Sequence, residues 1–241
     1  MANHDEIVQS GDDVVGGFQE KQSDLTAQTP SDLKNKFKMG LMAVGVVIIA
    51  IVAIVYYNKS KNEKEQEASA ALSRIRTVFE SGDYAKAMSG DATKMIRETP
   101  LVGLKDIVDQ FGNTENGKVA ALYAGNSLVA LKKHSEATEY FEKAQGSSSI
   151  EVVVGAMVGL GVCKETEKDY AGAADLYERA SMQTTQTALK DKFRLYAALS
   201  FEKAGNKEKA EKLYREILHG ETMEYIGESK SGLTRLGMIV E

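Results

Sequence analysis

Tryptophan is absent from this chain, and 241 residues include one cysteine and two prolines. With Cys163 alone, no internal disulfide can form. So little proline, beside abundant Ala, Lys, Glu and Leu, argues for helices and against a turn-rich β architecture. Positive charge is short as well. The formal net charge is −5, which leaves no basic surface broad enough for nucleic acid. Much of that imbalance sits early, where Asp5, Glu6, Asp12, Asp13, Glu20, Asp24 and Asp32 face only Lys21, Lys34 and Lys36. Residues 1–30 therefore read as a disordered acidic tail.

Chemistry-bearing clusters are missing too. His4, His134 and His219 lie far apart, in the tail, a turn and a helix end, without the close spacing of a metal site. His134 reads as an exposed turn residue. Cys163, between Val162 and Lys164, reads as a packing thiol, because no histidine is placed beside it by the sequence. Gly155, Gly159 and Gly161 form neither a dinucleotide fingerprint nor a P-loop; inside a helix they serve close packing. No catalytic residue, cofactor or metal is expected, and an enzyme is not the reading.

Charge is also absent from Met39 to Tyr57, MGLMAVGVVIIAIVAIVYY. As a helix this run covers roughly 28 Å, close to the ~30 Å hydrocarbon thickness of a bilayer. Lys34, Lys36 and Lys38 precede it, Lys59, Lys61 and Lys64 follow it, and Tyr56 and Tyr57 suit an interface. The run exceeds a signal-peptide core, and Ala68-Ser69-Ala70 lies too far downstream to be its cleavage site. A retained transmembrane helix over residues 31–58 is expected, started by Pro30-Ser31-Asp32. Residues 59–67 then form a charged helical stalk, and one helix can run on toward Glu80. Lysines at both ends leave the orientation undecided by charge. Gly40 and Gly45 are five apart, so no GxxxG pair suggests dimerisation.

Beyond the stalk, three windows repeat: residues 119–144, 155–180 and 192–217. Each reads as a helix with small residues midway, a polar turn, and a second helix with alanine followed by an aromatic four residues on. These positions are Ala137 and Phe141, Ala173 and Tyr177, and Ala210 and Tyr214. The alanines are 36 and 37 residues apart (173 − 137 and 210 − 173). A small residue where two helices cross lets the backbones approach, and the aromatic fills the adjacent gap. The expected fold is all-α: one transmembrane helix followed by an α-α superhelix over residues 117–220. Residues 68–116 would be a degenerate first unit, with Gly82-Asp83-Tyr84 as its turn and a helix from Leu101 to Phe111 closed by Gly112. Residues 221–241 would supply a capping helix, Glu224 to Ile239.

This pattern resembles the tetratricopeptide repeat, whose period is about 34 residues. Gly125 and Gly161 match its first-helix glycine, Ala198 stands there in the third repeat, and Ala144 and Ala180 match its late alanine. The Trp and late Pro of the family are missing. The tail, span, stalk and early repeats together resemble membrane-anchored bacterial repeat proteins related to the ancillary subunit of the SecYEG translocon. That resemblance implies a bacterial inner-membrane, single-pass protein of the cell envelope, with a cytoplasmic amino terminus and periplasmic repeats. It implies a protein partner: an exported or membrane protein, SecYEG itself or a periplasmic chaperone.

Stacked helix pairs create a groove lined by their first helices. Alignment places Leu122, Asn126 and Val129 there from the first repeat, with Val119 beside them. Val158, Val162 and Glu165 come from the second, with Gly155, and Lys192, Leu195, Leu199 and Glu202 from the third. Asn126 and Lys192 match two members of the carboxylate clamp of some repeat cochaperones, whereas Leu122, Gly159 and Tyr196 replace its other polar members. An apolar peptide or amphipathic helix suits this groove better than a charged tail.

Overall fold

In the computed structural model of this chain, residues 30–96, 99–220 and 222–239 are described. The tail expected upstream of Pro30 lies outside them. Two compact units make up the chain, Met1–Ile54 and Val55–Glu241. Helix α1, Pro30–Glu80, runs through 51 residues without a break, as a stretch lacking interior proline allows.

In the first unit α1 presents apolar side chains outward all round. Phe37 is 74% exposed and Ile49 70%, and none of the most apolar eighteen-residue window is buried. Water would penalise that surface heavily. By length and composition this helix is able to cross a membrane.

The second unit opens with the rest of α1. Residues 59–67 are not uniformly solvated, as the sequence suggests. Glu65 reaches the start of a later helix, α4 (Glu115–Ala130), and accepts from the backbone N–H of Glu115 at 2.8 Å and of Asn116 at 2.7 Å. A carboxylate here satisfies donors that a helix start leaves unpaired and opposes its positive dipole end. From Ala68 onward α1 buries Ala71, Leu72, Ile75 and Val78 along one stripe. Helix α2, Tyr84–Ser89, turns back, its start capped by Asp83, which accepts from the Lys86 N–H.

Two features of the degenerate unit differ from expectation. Its second helix is not merely interrupted; it gives way to an antiparallel hairpin, β1 (Gly90–Ile96) and β2 (Thr99–Val102), with a bulge between Asp91 and Met95. Gly90 has φ +72°, which ends α2 at little steric cost. Pro100, excluded from a helix interior, sits at the start of β2 instead. Consequently α3 spans Leu104–Phe111 rather than starting at Leu101, while Gly112 stands at its C-cap as expected, in the right-handed region.

Three antiparallel helix pairs follow: α4 with α5 (His134–Ala144), α6 (Ile150–Thr166) with α7 (Tyr170–Gln183), and α8 (Thr187–Lys203) with α9 (Lys207–Leu218). A 3₁₀ turn, Met223–Tyr225, leads into α10, Ile226–Arg235, which packs on α9. Side-chain caps hold the starts of α4, α6, α7 and α9 through Thr114, Ser149, Asp169 and Asn206. The turn inside each unit closes on one left-handed residue: Gly82, Lys132, Lys168 or Gly205. Buried side chains form a core from α1 to α6 and another from α7 to α10. A smaller cluster, Val154, Met157, Ala180 and Phe193, joins α6, α7 and α8. His134, the first residue of α5, is half-buried rather than exposed, with Nδ1 shielded from solvent and unpaired.

Candidate protein-binding face

The face in question is built on the first helix of each pair, and its spacing comes from the second helix. Phe141 of α5 is fully buried and lies against two glycines, Gly125 in its own pair and Gly159 in the next. A Cβ on Gly125 would fall 2.6 Å from the Phe141 ring, so only glycine lets α4 approach α5 this closely. Tyr177 and Tyr214 repeat the arrangement against Gly161 and Gly232. Gly232 belongs to α10, so the terminal helix meets the third pair as a further first helix would.

Against this spacing the residues expected to line the groove divide. Leu122, Val129, Val158, Val162 and Leu199 are half-buried. Leu122 leans over Gly155, where a Cβ would lie 3.2 Å from its Cδ2. Val158 and Leu199 pack at the edge of the second core, and Val129 and Leu122 at the edge of the first. Asn126 is exposed, and Val162 is half-buried outside all three clusters. Leu195 is a correction. It is only 7% exposed and belongs to the buried cluster that also holds Tyr177, Ala198 and Tyr214.

Glu165 and Glu202, also expected in the groove, are both paired within the chain. Tyr177 donates its hydroxyl to Glu165 at 3.2 Å, and Tyr214 donates to Glu202 at 2.7 Å. Glu165 also accepts from Ser200 Oγ and Lys203 Nζ, each at 3.1 Å, which ties α6 to α8. Glu202 accepts from Arg235 Nε at 2.9 Å and Nη2 at 3.1 Å, tying α8 to α10. The Arg235 guanidinium, with help from the Tyr214 hydroxyl, holds the Glu202 carboxyl below the usual carboxylate range. Burial first, and the facing glutamate second, push both tyrosine hydroxyls up, so they remain donors. Lys192 lies with Nζ 5.9 Å from the Tyr196 ring centroid, a cation–π contact.

These staples follow a spacing that is already present in the sequence. Twelve residues separate each pair, Glu165 from Tyr177 and Glu202 from Tyr214. In the first repeat the same spacing joins Val129 to Phe141, which has no hydroxyl to satisfy. A phenol and a carboxylate appear together or not at all, because burying either alone is costly.

Cys163 is 2% exposed, and burial pushes its thiol pKa upward. A thiolate nucleophile is disfavoured in that setting.

The tetratricopeptide-repeat family model matches residues 122–186, from the middle of α4 to the loop before α8. The helical pairs and this match define a tetratricopeptide-repeat region following a long apolar helix. No curated protein matches the chain.

Proposed function

We propose that this protein is a membrane-anchored adaptor that binds other proteins through the first-helix face of its repeats. The observation that carries the reading is the half-buried apolar row of Leu122, Val129, Val158, Val162 and Leu199, inside or beside a matched repeat region. Repeats of this class commonly hold an extended peptide or an amphipathic helix on such a face. With Glu165 and Glu202 already paired, the surface offers apolar contact rather than charge. Binding would be reversible burial of apolar partner surface, with no chemical step. Anchoring through the apolar part of α1 would raise the local concentration of sites, so modest affinity would suffice.

The finer reading is a chaperone-like factor of the bacterial cell envelope, near the secretion translocon. It rests only on the resemblance of the order tail, apolar run, charged stretch and repeats to that of membrane-anchored repeat proteins. In that reading the repeats face the periplasm and meet exported chains, SecYEG or a periplasmic chaperone. A second reading is a structural subunit of a stable membrane complex. The inward packing of Leu195 and the tied glutamates favour it, since they reduce the surface free for changing partners.

Photo-crosslinking in native membranes separates the two, with the probe at Val162 and a control at exposed Lys168. Many weak adducts at Val162 alone support the adaptor. A single dominant adduct at both positions identifies a structural subunit. No adduct at Val162 removes the groove from both accounts.

A further inference from the structure

A sizeable cavity lies not on the repeat face but at the far end of the array, where α9 and α10 meet. It measures about 910 Å³, within the range of small-molecule sites. One turn of α9 gives it Arg215, Leu218 and His219, and one turn of α10 gives it Ile226 and Lys230. The chain after α10 closes the third side through Met238.

That third wall is fixed. Gly237 takes φ +80°, donating its N–H to the Thr234 carbonyl at 3.0 Å, while the Met238 N–H reaches the Leu233 carbonyl at 2.9 Å. These two bonds end a helix and turn the chain back across it, and Leu236 and Met238 then pack on the second core.

Every charged side chain among the described lining residues is basic. Arg215 spends Nε on Glu211 at 2.8 Å, which leaves its two terminal nitrogens without a partner among the described residues. Lys230 and the His219 ring line the cavity without a hydrogen-bond or ion-pair partner among the described residues. Arg215 and Lys230 are exposed and carry positive charge at the mouth of the cavity, with the exposed His219 ring beside them, so an anion entering there would meet complementary charge. Ile239, 83% exposed at the rim, adds apolar surface that water does not favour.

We propose that this cavity binds a carboxylate carried on an aliphatic chain, a ligand of the fatty-acid class. The carboxylate would sit among Arg215, His219 and Lys230, and the chain against Leu218, Ile226 and Met238. A bare phosphate would leave the apolar floor unused, and an uncharged alkyl chain would leave the cations unpaired. The site is independent of the first-helix face and of any partner held there.

The test uses the full chain in lipid nanodiscs and a diazirine-bearing decanoate, with adducts mapped by peptide mass spectrometry. The expected adducts fall between Leu218 and Ile239. Excess decanoate should compete them away, and decanol of equal chain length should not. Lys230→Glu, at an exposed position where folding is checked by circular dichroism, should reduce labelling about tenfold, the effect of one charge-assisted bond. His219→Glu serves as a second variant with the same expectation. Equal competition by decanol, adducts spread along the chain, or labelling unchanged in both variants would overturn the proposal. A peptide with a free carboxy-terminal leucine that competes better than decanoate would also overturn it and assign the cavity to chain ends.

Discussion

Residue identities in the repeats are set by what must sit against a buried ring. Phe141 touches Gly125 and Gly159, so Gly159→Ala forces a methyl into a ring that has no room to move. A loss of about 1–3 kcal/mol is expected, read as a lower denaturant midpoint with an unchanged slope. Charge is set with the same economy. Glu115 accepts from Lys118 Nζ, Ser147 Oγ and the Ser148 N–H. Lys118 above all, with the Ser148 and Ser147 donors behind it, holds its pKa down to about 2 from 4.5. A carboxylate depressed in the folded state stabilises fully above its unfolded value, and that contribution is lost as pH falls from about 4.5 to about 2. Acid titration of folding should therefore be shallower over that window for Glu115→Gln than for the parent chain. Glu202, depressed by Arg235, contributes with the same sign.

Among the elements, turns and helix starts carry the next layer of specification. Four turns close on a left-handed residue, glycine at 82 and 205 but lysine at 132 and 168, where a side chain costs energy. Helix α5 also has Lys133 at its N-cap position and so lacks a side-chain cap, unlike α4, α6, α7 and α9. Replacing Lys132→Gly and Lys133→Asp together should stabilise the chain by about 1 kcal/mol, seen as a raised Tm. The Lys133–Glu136 ion pair given up is solvent-exposed and worth little. Glu65 works in the opposite direction. It supplies the cap that joins the last part of α1 to α4, and Glu115 continues the link to the loop before α6. Glu65→Ala should cost about 1–2 kcal/mol, and amide exchange should speed up at Glu115 and Asn116 before it does elsewhere.

For the molecule as a whole, stability passes from each pair to its neighbour. The last pair depends on α10, because Gly232 receives the Tyr214 ring and Arg235 holds Glu202. A chain ending at Leu218 would expose Leu213, Tyr214 and Ile217, all buried in the intact protein. Such a truncation is expected to lose hydrogen-exchange protection in α8 and α9 while α4 and α5 keep theirs, since repeat arrays fail pair by pair. Among the described residues, none of the most apolar window of α1 is buried. Its fate is decided by the solvent around it.

Local signals in the sequence determined a great deal here. An uncharged run of bilayer length, a repeat of 36 and 37 residues, and the alternation of small and aromatic positions together define an all-α chain with paired helices. These depend only on neighbours along the chain, through helix period and turn chemistry. Tertiary structure decided the rest. It turned Leu195 inward and Val162 out of the core, since alignment gives a helix position but not the rotation of that helix against its neighbours. It paired Glu165 and Glu202 with partners more than thirty residues away, although the matching of Tyr with Glu and Phe with Val at a spacing of twelve was already legible. It made a hairpin where only broken helix was expected, because strand pairing depends on contacts that local propensity does not encode. The basic cavity at the end of the array is of the same kind. Arg215, His219 and Lys230 show no common pattern in the sequence; two helices and a reversing turn bring them to one cavity.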